Sequence, residues 1–209
     1  MTLGDFAARV PRLYRLSAEG SINGIRRHGL LCADTLAIRA GHDLRPIRRA
    51  TALALTLPDG TPVQITDNSP LSEMRLITIL DDGLTAADWI RMLNARVFFW
   101  PSRELGAGNL RARRRLGYRS EWHVFDTLRL LAAVWDRAEV APFNTGATVR
   151  VPPRRGRATF APLAGLDLAE WRMRRREAGV VRTLDQVKEV TVRGDLPSAA
   201  DAVLSVEPA

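Results

Sequence analysis

The side chains best suited to chemistry in this chain are an arginine near its start and a glutamate near its end. Arg15 lies in Leu13-Tyr14-Arg15-Leu16-Ser17, an apolar-flanked strand that sets a guanidinium beside a phenol. Glu189 lies in Val187-Lys188-Glu189-Val190-Thr191-Val192, a strand with a lone carboxylate. A guanidinium makes planar two-point contacts with phosphate and carboxylate groups. A fixed carboxylate favours positive charge, above all charge that develops only near a transition state. Phe98-Phe99-Trp100 offers flat aromatic surface, and Ser17 and Asn144 offer small polar groups. Each has a plain structural reading beside the functional one. Glu189 can be a solvated cross-strand partner, Arg15 a surface cation, and Tyr14 and the aromatic triplet core.

Other chemistries find less support. His28, His42 and His123 are scattered, without a carboxylate or histidine partner at ligand spacing, so no metal site is assigned. Cys32 is the only cysteine, which excludes an internal disulfide and a cysteine-based zinc site. Gly106-Ala107-Gly108 falls inside an expected helix and fits neither common phosphate-loop pattern.

The 209 residues are 46% hydrophobic and 26% charged, the composition of a soluble globular protein. No apolar run approaches the roughly 20 residues of a membrane helix. The start carries no basic leader followed by an apolar stretch, so a cytoplasmic protein is expected. The formal charge is +8, and nearly all the positive charge is arginine, Lys188 being the only lysine. That bias is typical of GC-rich bacterial coding, but the charge still attracts phosphates. Arg111, Arg113 and Arg114, and Arg172, Arg174 and Arg175 beside Trp171, are candidate nucleic-acid contacts. The competing reading is a pair of solvated helix faces.

These residues need elements to position them. Helices are expected at 22–28 with Ser21 as cap, 34–41, 69–80, from Thr85 to about 93, from Ser102 onward, 127–135 and 167–178. Strands are expected at 52–57 and 62–66 around a turn, and at 96–100, 123–126, 139–142 and 186–192. Residues 143–162 read as a long functional loop with one extended piece at 158–161. With no repeat and no linker, residues 1–209 read as a single α+β domain.

The segment 13–31 resembles the opening of DarT-type ADP-ribosyltransferases: strand, polar turn, helix, then Gly29-Leu30. That family usually has histidine where this chain has Arg15; the cholera- and pertussis-like toxins have Tyr-Arg there, as in Tyr14-Arg15. The block from Asp88-Trp89 to Phe99-Trp100 resembles an uncharacterised bacterial family of unknown function, as do Asp67-Asn68-Ser69-Pro70-Leu71, Pro142-Phe143-Asn144-Thr145-Gly146 and Arg155-Gly156-Arg157. The resemblance to the transferases implies split β-sheets with flanking helices and NAD as the substrate. It implies that Glu189 faces the ribose cation formed when nicotinamide leaves. Arg15 then holds the diphosphate or adenosine ribose, while Phe98, Phe99 or Trp100 backs the nicotinamide. Tyr14, Ser17 and Asn144 are further cofactor contacts. The acceptor is nucleic acid or protein. Two other expectations compete: an RNA 2′-phosphotransferase, which needs more than one basic residue at the phosphate, and a non-catalytic binding module. The transferase reading requires Arg15 and Glu189 to line one cleft with an aromatic from 98–100.

Overall fold

A computed structural model describes residues 1–149, 151–177 and 187–209, apart from the side chains of residues 174, 175 and 177. The first half runs α1 (Leu3–Arg9), β1 (Arg12–Ala18), α2 (Ile22–His28), α3 (Ala33–Arg39), β2 (Leu53–Thr56), β3 (Pro62–Ile65), α4 (Glu73–Ile79), α5 (Ala86–Asn94), β4 (Arg96–Phe99) and α6 (Arg103–Arg115). The second half runs β5 (Ser120–Asp126), α7 (Thr127–Leu131), a 3-10 turn (Ala132–Arg137), β6 (Ala138–Ala141), β7 (Ala161–Pro162), α8 (Leu168–Glu177), β8 (Glu189–Arg193) and β9 (Val203–Pro208). The chain is thus mixed α+β, built on small antiparallel sheets.

Strands β1, β5 and β9 form one sheet in that order, and β4, β8, β6 and β7 form another. Every pairing within them is antiparallel. The β2–β3 pair is a separate hairpin. The two larger sheets are joined where Tyr14 meets Trp100: each amide donates to the other's carbonyl, at 2.9 and 2.8 Å. That bridge carries β1 and the end of β4 side by side, so residues 83 positions apart become neighbours. Val190 and Val192 of β8 point into a core with Leu13, Phe99 and Phe125. A smaller core gathers Leu76, Trp89, Ile90 and Phe160.

Local rules explain most boundaries. Thr85 caps α5 as its spacing to Asp88 predicts, the two residues exchanging backbone bonds at 3.0 and 3.1 Å. Ser21 does not cap α2 by its own side chain. Glu121 reaches across from β5 instead and accepts from the amides of Gly20 and Ile22 at 3.0 and 3.2 Å. A carboxylate at a helix start outcompetes a hydroxyl because it brings charge as well as an acceptor. Gly29 closes α2 with φ +76°, and a Cβ there would lie 2.5 Å from the Leu196 carbonyl oxygen. Gly106 sits inside α6, where a Cβ would come within 2.6 Å of Trp122. The helix accepts a poor helix former so that an indole can approach its backbone.

Several expectations need correcting. The extended piece at 158–161 is a 3-10 turn (Arg157–Thr159) followed by the two-residue β7. The last expected strand begins at Glu189, not before it, and Gln186 lies outside the described residues. β5 starts three residues earlier than expected, because the polar Ser120 and Glu121 lie buried in it. Helix α1 and strand β9 had no counterpart in the sequence reading.

Candidate functional site

Glu189 is the first residue of β8, opposite Ala141 of β6, and only 4% exposed. Its Oε2 accepts from the Thr145 amide at 3.1 Å and from the Thr145 hydroxyl at 2.7 Å. Burial pushes its carboxyl up to about 7, although the two Thr145 donors and the charges of Lys188 and Arg155 pull it down. Thr145 belongs to a turn in which the Gly146 amide donates to Asn144 Oδ1 at 3.1 Å. Arg155 fastens that turn from below. Its Nη1 donates to the carbonyls of Thr145 and Ala147 at 3.2 and 3.1 Å, and its Nε to that of Pro153 at 3.3 Å. The guanidinium stands 4.9 Å from the Phe143 ring and 5.6 Å from that of Trp89. Burial lowers the Arg155 pKa to about 10, so it remains a cation at neutral pH.

Three arginines share a cavity with the Glu189 carboxylate. Arg15 of β1 donates from Nη1 to the Phe98 carbonyl at 3.0 Å. Burial, with Arg113 nearby, lowers its pKa to about 10. Arg113 of α6 is 3% exposed and donates from Nε to Ser120 Oγ at 2.8 Å. Arg49 donates from Nη2 to Asn94 Oδ1 at 3.2 Å and from Nε to the Thr66 carbonyl at 3.3 Å. A cavity of about 200 Å³ is lined by Arg15, Arg49 and Arg113 together with Asn144, Thr145 and Glu189. Phe98 and Trp100 of the β4 end also line it. A smaller cavity of about 90 Å³ shares Arg15 and includes Ser17. A wider open cleft of about 780 Å³, lined by Asp81, Arg154 and Trp171, contains neither Arg15 nor Glu189.

The cavity therefore brings together Arg15, Phe98, Trp100, Asn144 and Glu189, with Ser17 in the adjoining pocket. Two expected contacts go elsewhere. Phe99 is fully buried and packs edge-on against Phe125, their ring centres 5.6 Å apart, so it is core. Tyr14 lines neither cavity; its ring lies 5.6 Å from the Arg103 guanidinium. Both follow from strand alternation, since the neighbours Arg15 and Phe98 occupy the cavity-lining positions. Of the candidate nucleic-acid contacts, Arg111, Arg114 and Arg172 are exposed. Arg113 is corrected to a cavity residue, because its burial denies it to an external phosphate backbone. The side chains of Arg174 and Arg175 lie outside the described residues.

Sequence reasoning missed Arg49, Thr145 and Arg155, none of which sits in a pattern that announces its partner. It also denied His123 a carboxylate. Glu121 lies two residues earlier on the same strand face, with His123 Nε2 2.6 Å from its Oε1. Period-two spacing on β5 was the available signal. Burial lowers the His123 pKa against the pull of Glu121, which leaves a neutral imidazole at neutral pH. This pair sits directly behind Arg15, which is paired with His123 across the strands.

Among the described residues no helix is long and apolar enough to cross a membrane, and no group of three or more His, Cys, Asp or Glu side chains is placed to hold a metal ion. What fold and site define so far is an α+β protein with a small cavity between a buried carboxylate and a cluster of arginines. Residues 11–203 match a family of unknown function, DUF7002, and the chain belongs to that family. No curated protein and no solved structure matches it.

Proposed function

We propose that this cavity binds NAD and that the protein is an ADP-ribosyltransferase with the split-sheet fold of the DarT-like and toxin enzymes. The observation that carries the reading is the meeting of Arg15, Phe98 and Glu189 in one cavity, delivered by separate strands of two sheets. Cleavage breaks the bond from ribose C1′ to the nicotinamide nitrogen, and nicotinamide leaves with the electron pair. The ribose becomes an oxocarbenium ion. Glu189, held by Thr145 through Oε2, stabilises that charge with a carboxylate that needs no reorganisation. The acceptor, a nucleophilic atom of nucleic acid or protein, then bonds to C1′ and releases its proton. Arg15 anchors the diphosphate or adenosine ribose, and Phe98 or Trp100 lies against the nicotinamide. Ser17 and Asn144 contact the ribose side or the acceptor.

At about 200 Å³ the cavity is smaller than the roughly 300–1,000 Å³ of an ordinary ligand pocket. The dinucleotide therefore spans both cavities around Arg15, and the β2–β3 hairpin, whose Gln64 lines both, gives way to admit it. Glu189 works as the anion. With its carboxyl at about 7, turnover rises with pH through that value and levels off above it. Nicotinamide release from NAD in the presence of cell protein and nucleic acid is the direct assay. Glu189→Gln should cut it by about a hundredfold or more with the fold intact. NAD left intact after prolonged incubation would refute the reading.

A further inference from the structure

We propose that Arg15, Arg49 and Arg113 together form a binding site for a phosphate-type oxyanion carrying two or more negative charges. The inference deepens the transferase reading and rests on the same cavity, but it does not need NAD cleavage to be true. Its basis is hydrogen bonding left unfinished. Arg15 Nε, Arg49 Nη1 and Arg113 Nη2 are all withdrawn from water, and none has a hydrogen-bond partner among the described residues. All three residues line the one cavity. None of the three is in an ion pair among the described residues. A buried guanidinium nitrogen without an acceptor bears the full penalty of leaving water, which is larger because the group is charged.

Arg96 supplies the internal control. It lines the same cavity, yet its Nε and Nη2 meet Glu139 at 2.8 and 3.2 Å and its Nη1 meets the Met92 carbonyl at 2.7 Å. Arg96 thus has an acceptor for each of its nitrogens, unlike the other three arginines of this cavity; Arg155, which also keeps an unpartnered Nη2, does not line it. The other three are drawn together against mutual repulsion: Arg113 lowers the pKa of Arg15, and burial lowers all three. The carboxylates at hand do not settle them. Asp34 and Asp67 act on Arg49, and Asp67 on Arg113, by charge alone, without a hydrogen bond to either guanidinium, while Asp67 Oδ2 is taken up by the amide and hydroxyl of Ser69. Glu189, near 7, carries only part of a charge at neutral pH. The group that completes this wall is a tetrahedral dianion or a diphosphate, whose several oxygens suit three convergent forks.

Inorganic pyrophosphate is the probe. Calorimetry and thermal unfolding of the full chain should show binding that weakens with salt and raises the melting temperature. Arg49→Gln, at a half-buried position, should weaken it about tenfold or more, with the unliganded variant still folded; Arg113→Lys, which keeps the charge but loses the fork, should weaken it similarly. Adenosine and nicotinamide riboside, which lack phosphate, should show no dependence on Arg49. No pyrophosphate binding, or binding indifferent to both variants, overturns the proposal. ADP-ribose binding more tightly than an RNA bearing a 2′-phosphate assigns the oxyanion to the dinucleotide; the reverse assigns it to an acceptor. Either order, with dependence on Arg49, supports the site. The two readings fail separately. Pyrophosphate binding without NAD cleavage leaves the site standing, whereas NAD cleavage without pyrophosphate binding removes it.

Discussion

The two walls of the cavity are built on opposite terms. On one, the charged groups are held at several points: Glu189 takes both donors of Thr145, and Arg155 holds three carbonyls between two aromatic rings. Arg155 leaves only its Nη2 without a partner, away from the cavity, whereas on the other wall three arginines that line the cavity each keep such a nitrogen. The carboxylate wall keeps its shape with nothing bound. The arginine wall keeps guanidinium nitrogens without acceptors, which the proposed oxyanion would supply. A buried pair adds little to stability compared with a well-packed apolar one, but a lone buried charge is strongly destabilising. The difference between the walls separates a carboxylate already held in place from arginines with donors to spare.

The strongest way to break this comparison is Arg155→Ala. It removes the clamp under Thr145 and leaves three carbonyls short of a donor, so urea unfolding should show a loss of about 3–5 kcal/mol. With the cation gone and the turn loosened, the Glu189 carboxyl should rise further. A loss below about 1 kcal/mol would mean the carboxylate wall is no better held than the other. Glu189→Gln tests the same wall in the opposite direction. The carboxyl is raised from 4.5 to about 7, so ionising it in the folded protein is unfavourable. That cost is absent below the ordinary carboxylate range, grows as pH rises, and is complete above about 7. The Gln variant should be the more stable protein at pH 8, by up to about 3 kcal/mol, and should match the native chain below pH 4. Denaturant titrations across that range would show it. A variant that loses turnover while gaining stability marks a residue kept for chemistry.

How far the sequence revealed this site depends on whether a residue's partner is local. The Thr85–Asp88 cap, the β2–β3 hairpin and the Arg96–Phe99 strand are each written within a few residues, and each is found. Glu189 stood out because it is a lone carboxylate on an apolar strand. Arg49 was not singled out, because its cavity is assembled from α6, β1 and the 144–146 turn, far away in sequence. Thr145 looked like a turn residue, and is one, but its two donors meet a strand 44 positions later. Arg155 was one of a run of arginines whose burial no local pattern encodes. Phe99 and Tyr14 failed for a simpler reason: the aromatic character of a strand is visible, while which face meets the cavity depends on the partner sheet.

Helix α6 offers the finest test, because one element carries both kinds of arginine. Arg113 is buried in the cavity wall, whereas Arg111 and Arg114 are exposed on the same helix. At physiological salt, charges more than about 8 Å apart in solvent are largely screened. Arg111→Glu and Arg114→Glu should therefore change stability by no more than about 0.5 kcal/mol. They should shift pyrophosphate affinity less than about twofold at 150 mM salt, a loss that grows only as salt is lowered. Suppose instead that these reversals weaken pyrophosphate as much as Arg49→Gln does at 150 mM. The anion would then be answering the general field of a protein with net charge +8. The unpartnered nitrogens on the arginine wall would be a packing cost with no ligand to relieve them, and the contrast between the two walls would lose its functional meaning.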